Sequence, residues 1–111
     1  MAESATQKKV IEWIRSEGQY VVNIHGHEMQ ERGIPDLLCC WDGLFIGIEL
    51  KEPGEEPDAI QQYHLNNIAS ANGYAMIAHS LEDVQEGIQH IRGQLEKKIS
   101  KLVKPVNPSS N

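Results

Sequence analysis

The segment from Ile34 to Lys51, IPDLLCCWDGLFIGIELK, constrains this chain more than any other. Two apolar runs, Ile34 to Trp41 and Leu44 to Lys51, are joined by Asp42-Gly43. Asp-Gly between such runs is a strong hairpin signal, because both residues tolerate the positive φ of a tight type I′ turn. With these two residues at the centre of the turn, Trp41 faces Leu44 and Asp36 faces Glu49. Alternation then sends Ile46, Ile48 and Leu50 to one face as core, and places Glu49 and Lys51 on the other face with Asp36. Carboxylates set opposite each other in a sheet repel by up to about 1 kcal/mol, more when partly buried, so the pattern asks for a cation between them. Oxygen ligands without paired His or Cys nearby suit a hard ion, Mg²⁺ or Mn²⁺, better than zinc. Lys51 would stand ready to orient or deprotonate a water, or to stabilise charge growing on a phosphate. Spacing alone is equally compatible with a solvated surface ion pair, and a bulge would shift the register.

The flanking segments supply an α/β frame. Val10, Ile11 and Ile14 recur at helical spacing between Ser4 and Glu17, with Ser4 or Thr6 as cap and Gly18 as stop. Tyr20 to Ile24 reads as a short strand, followed by the polar loop HGHEMQERG. After the hairpin, EPGEEPD is a turn-rich acidic loop, Ala59 to Ala71 a second helix stopped by Asn72-Gly73, and Tyr74 to Ala78 a fourth strand. Ser80 and Asp83 resemble a capping box for a third helix running from about Leu81 to near Lys101. The order α-β-β-β-α-β-α predicts one mixed sheet flanked by helices, in a single domain over residues 1–104 with a disordered tail at 105–111.

Other features bound the setting. No window approaches the roughly 18 consecutive apolar residues of a membrane span, and the start MAESATQKK lacks the apolar core of a signal peptide, so a cytoplasmic protein with no membrane partner is expected. Cys39 and Cys40 are adjacent, which suits reduced thiols rather than a disulfide framework or a structural zinc site. Trp13 and Trp41 are expected in the core or at a subunit contact.

The order of short motifs resembles the VRR-NUC branch of the PD-(D/E)xK nuclease superfamily, specifically its small stand-alone phage and bacterial members. The motifs are Arg32-Gly33-Ile34-Pro35-Asp36-Leu37-Leu38, then Ile48-Glu49-Leu50-Lys51, Gln61-Gln62, Gly73-Tyr74 and Ser80-Leu81-Glu82-Asp83. They span roughly Glu3 to Ile91. The resemblance implies a restriction-endonuclease-like core in which Asp36, Glu49 and the Leu50 carbonyl bind Mg²⁺ or Mn²⁺, with Lys51 beside the attacking water. The implied reaction is hydrolysis of a DNA phosphodiester to 5′-phosphate and 3′-hydroxyl ends. Stand-alone members of this branch look like Holliday-junction resolvases, homodimers that cut branched DNA; a phage-encoded member would act in the host cytoplasm. The resemblance also implies a Glu in the first helix, and the helical wheel selects Glu3, which projects with Gln7 on the side of Val10, Ile11 and Ile14, over Glu12. For the second helix it implies a Gln, either Gln61 or Gln62, to hold a water or Lys51. His25 and His27 in the polar loop, and Arg32 just before Asp36, are candidate DNA-phosphate contacts.

Charge bears on the partner. A formal net charge of −6 would ordinarily argue against nucleic acid, since phosphate binding depends on Lys and Arg. The charge is uneven: Met1 to Ile91 holds five basic and fifteen acidic residues, whereas Arg92 to Asn111 holds five basic and one acidic. Metal on Asp36 and Glu49 would remove part of the excess, and the basic end, with Lys97, Lys98, Lys101 and Lys104, would meet DNA backbone or simply keep the last helix soluble. The expectation is a metal-dependent DNA endonuclease. The alternatives are a flap or other endonuclease without junction preference, and a non-catalytic DNA-binding module working through its basic last helix.

Overall fold

The computed structural model describes residues 4–24 and 31–102. The elements run α1 (Ala5–Ser16), β1 (Tyr20–Asn23), β2 (Leu37–Trp41), β3 (Leu44–Leu50), α2 (Ala59–Ser70), β4 (Tyr74–Ala78) and α3 (Leu81–Leu102), the order read from the sequence. The four strands form one mixed sheet in the order β1-β2-β3-β4. The pairs β1–β2 and β2–β3 are antiparallel and β3–β4 is parallel, so α2 is the crossover that parallel neighbours require. Among the described residues no helix is long and apolar enough to cross a membrane.

The hairpin has the expected register, with Trp41 opposite Leu44 and Leu37 opposite Ile48. Asp42 and Gly43 take φ of 50° and 84°, as a type I′ turn demands. Gln19 clamps this turn: its amide nitrogen donates to Asp42 Oδ1 and its amide oxygen accepts from the Asp42 N–H, both at 2.9 Å. One face of the sheet presents Val21, Leu37, Cys39, Trp41, Ile46 and Ile48 to Val10, Ile11 and Ile14 of α1 and to Val84, Ile88 and Ile91 of α3. Trp41 stacks on Trp13 with ring centres 5.1 Å apart, so both indoles belong to this core. Cys39 is buried in it and Cys40 is exposed on the other face, as adjacent strand residues must be. Burial, with Cys40 adding to it, pushes the Cys39 thiol up to about 11, which makes it inert.

β2 starts at Leu37, three residues later than the apolar run suggests. Two residues explain the delay. Gly33 has φ +82°, outside the strand region, and Pro35 has no N–H to give to a ladder. Asp36 therefore precedes the β2–β3 ladder and is not a ladder partner of Glu49, although its carbonyl still accepts from the Ile24 N–H at 2.9 Å.

Candidate active site

The segment before β2 is held in place by α2. His64 donates from Nε2 to the Arg32 carbonyl at 2.9 Å. A Cβ on Gly33 would lie 2.9 Å from the Ile60 carbonyl carbon, so only glycine lets the chain pass this close to the helix. Pro35 is buried against Gly47, where a Cβ would stand 3.2 Å from the proline ring and 2.7 Å from Ile68. These approaches deliver the Asp36 side chain to the end of β3, where its Oδ2 accepts from the Leu50 N–H at 2.9 Å.

That bond closes one wall of a cleft of about 460 Å³. Asp36, Glu49, Leu50 and Lys51 line it, together with Gln7 of α1, Gln61 of α2 and His79 just after β4. Glu49 is 2 % exposed, and its Oε2 stands 3.6 Å from the Lys51 ammonium. Its Oε1 is buried with no hydrogen-bond partner. A bare buried carboxylate oxygen costs a few kcal/mol, and far more as a charge, unless something cationic satisfies it. Burial, with the Asp36 charge adding to it, pushes the Glu49 carboxyl up to about 7, against the opposing pull of Lys51 and the Asp36 backbone. A solvated surface pair would show neither feature.

The donors fit a hard divalent cation. Two carboxylates converge on the cleft, one with an unmatched oxygen, and the Leu50 backbone lies between them and Lys51. Among the described residues no group of three or more His, Cys, Asp and Glu side chains could hold a metal ion. A sparse oxygen set of this kind suits an ion that keeps several waters, as Mg²⁺ does, and not a tetrahedral zinc.

Among solved structures, one described as a VRR_NUC domain superposes with a TM-score of 0.65 at 24% sequence identity, covering 77% of this chain and 91% of its own. The fold is that of a VRR-NUC domain. No family model matches the sequence, and no curated protein matches it.

On this VRR-NUC fold, Asp36, Glu49, Leu50 and Lys51 line one cleft, with Asp36 brought there by the segment that precedes the ladder. The structure separates the two glutamines. Gln61 lines the cleft, while Gln62 is exposed and donates to Asn66 at 2.9 Å on the outer side of α2, which removes it from the site. The Gln61 oxygen accepts from the Asp58 N–H at 2.9 Å in a capping box, leaving its NH₂ for the cleft. Arg32 is exposed four residues before Asp36. Glu3, His25 and His27 lie outside the described residues.

Gln7 and His79 line the cleft without a role assigned from sequence. Gln7 is 5 % exposed and pairs reciprocally with Ser4, its N–H to Ser4 Oγ and its Oε1 from the Ser4 N–H, both at 3.1 Å. The helical wheel carried the signal for Gln7, since it projects with the core residues. His79 had none in sequence, because it sits between a strand and a cap and the contacts of its ring are distant along the chain.

Proposed function

We propose that this protein is a Mg²⁺- or Mn²⁺-dependent DNA endonuclease acting on branched DNA, with Asp36 and Glu49 as metal ligands and Lys51 as the catalytic cation. The observation that supports it most is Glu49: a carboxylate 2 % exposed, with one oxygen bare, beside a second carboxylate and a lysine in an open cleft. Such an arrangement is unfavourable for the fold alone, which is the mark of a functional site. The VRR-NUC fold supports nuclease chemistry in the same cleft.

The ion would be held by Asp36, Glu49 and the Leu50 carbonyl, and when bound it supplies Lewis acidity that activates water and offsets charge on the phosphate. The chain's own groups do the rest. Lys51, held within 3.6 Å of Glu49, orients the attacking water and stabilises the negative charge of the pentacovalent phosphate. The Leu50 N–H fixes which Asp36 oxygen faces the cleft. The NH₂ of Gln61 reaches a phosphate oxygen or water at the rim. In-line attack breaks the P–O3′ bond or the P–O5′ bond according to which oxygen lies opposite the water; the resemblance favours 5′-phosphate products.

Arg32, exposed four residues before Asp36, contacts phosphate in this reading, with His25 and His27 as further candidates. The basic stretch of α3 with Arg92, Lys97, Lys98 and Lys101 is exposed, but the helix starts at the cleft and runs 22 residues, roughly 33 Å, away from it. It would touch a DNA arm about one helical turn from the scissile bond. A four-way junction has two strands to cut, which matches a C₂ homodimer.

The deciding experiment is cleavage of four-way junctions, flaps, duplex and single strands side by side with Mg²⁺, Mn²⁺ or EDTA. Metal-dependent nicking led by junctions is expected, with weak, Mg²⁺-dependent binding and a dimer in sedimentation. Equal cutting of flaps and duplex removes the junction preference. Binding in EDTA with no cleavage of any substrate would favour a non-catalytic DNA-binding module.

A further inference from the structure

His79 stands where β4 gives way to α3, across from Lys51 and one step past the last ladder pair, Leu50 with Ala78. The Lys51 N–H makes the final strand bond, to the Ala78 carbonyl at 2.9 Å, and the chain then turns away through Pro53 and Gly54. From here the imidazole takes over from the ladder. Its Nδ1 lies 2.9 Å from the Lys51 carbonyl oxygen and 3.2 Å from that of Glu52. A carbonyl only accepts, so Nδ1 carries the proton and donates to both. The His79 backbone is held in turn, its N–H donating to Asp83 Oδ2 at 2.9 Å, while the Asp83 N–H donates to Ser80 Oγ at 3.1 Å. This use of Asp83 departs from the expected capping box, in which its carboxylate would turn back to Ser80. The first turn of α3 thus fixes His79, and His79 fixes the backbone that follows Glu49-Leu50-Lys51.

The geometry points to His79 as a positioning residue for Lys51, acting through the two carbonyls that its Nδ1–H bridges; this rests on the nuclease reading above. A lysine ammonium on a four-carbon stem stays near Glu49 only while its own backbone is fixed, and at this point β3 has run out of partners on the β4 side. Reaction rates fall steeply with misplacement of a group by even about 1 Å, so the loss of this pin would act on the chemical step more than on DNA binding.

The test compares wild type with His79→Ala, His79→Asn and His79→Gln in steady-state cleavage of the best DNA substrate, alongside thermal unfolding. Asn places an amide N–H near the position of Nδ1, whereas Gln places it near Nε2. For Ala and Gln, kcat should fall about tenfold or more while KM for DNA stays within about twofold, and Asn should remain within about threefold of wild type. A role in stability alone would move the unfolding midpoint and leave this order of rates unmade. Nitrogen-15 NMR of the wild-type ring, read without metal or DNA, should show the neutral imidazole protonated on Nδ1. Wild-type kcat in His79→Ala, equal rates for the Asn and Gln variants, or a ring protonated on Nε2 would each overturn the inference. A wild-type protein that cuts no DNA defeats the nuclease reading and this inference together, while an active wild type with an unimpaired Ala variant defeats the inference alone.

Discussion

The β2–β3 hairpin has two ends built on opposite terms. At the turn, Asp42 and Gly43 occupy the φ values that their residue types favour, and Gln19 satisfies Asp42 twice over. At the open end, seven residues along β3, the same hairpin buries Glu49 with one oxygen bare, brings Asp36 toward it and leaves Lys51 as the nearby counter-charge. Every local choice at the turn agrees with the fold; at the open end the choices conflict unless a cation arrives. Consistency marks the part of a strand that specifies structure, and the lapse marks the part for which we propose chemistry.

The largest effect expected from this contrast is on cleavage. Asp36→Ala and Lys51→Ala should each lower kcat by about 10³-fold or more, since on the proposed reading the first removes a metal ligand and the second the cation that faces charge developing on phosphate. Far-UV circular dichroism and DNA binding should remain measurable, because neither side chain contributes to the α1–α3 core. Substantial activity in either variant would mean that the open end is a structural ion pair after all.

A second, smaller effect separates the two ends by pH. The folded protein holds the Glu49 proton up to about pH 7, whereas an ordinary carboxyl releases it near 4.5. Between those values the folded state binds a proton that the unfolded chain has lost, so metal-free stability should fall as pH rises through the window and level off above it. Urea unfolding in EDTA from pH 4.5 to 8 measures this slope. Glu49→Gln should flatten it, making the variant more stable than wild type at pH 8. Added Mg²⁺ should raise the wild-type midpoint and leave that of Glu49→Gln nearly unmoved. A wild-type profile that climbs with pH would show that Lys51, and not burial, governs this carboxylate.

Much of this was legible in sequence because the decisive interactions are local. The Asp-Gly turn set the register of the ladder and with it the face that Glu49 shares with Lys51, while helical spacing put Gln61 on the inward face of α2 and Gln62 at its edge without deciding between them. What the sequence concealed depends on contacts between distant segments. The late start of β2 follows partly from Pro35, which is visible in sequence, and partly from the positive φ of Gly33, whose close approach to Ile60 no window of sequence contains. Glu49 is buried in a cleft lined also by residues of α1 and α2, outside its own strand. The bond from His79 to Lys51 spans 28 residues and joins a strand terminus to a helix start, where no periodic pattern operates.

The smallest effect belongs to the turn and tests whether the two ends are independent. Gln19→Ala removes two exposed hydrogen bonds to Asp42 and should cost about 1 kcal/mol of stability, a loss of about 4 °C in Tm, at any pH between 5 and 8. Its kcat should equal that of wild type, since β3 carries the turn and the cleft at opposite ends, roughly 20 Å apart, and effects so separated add. The double variant with Glu49→Gln should therefore show the sum of the two stability changes, one unfavourable and one favourable at pH 8. A departure from that sum beyond about 0.5 kcal/mol would mean that the hairpin transmits strain along its length. The clamp at the turn would then be part of the machinery that holds the carboxylates in place.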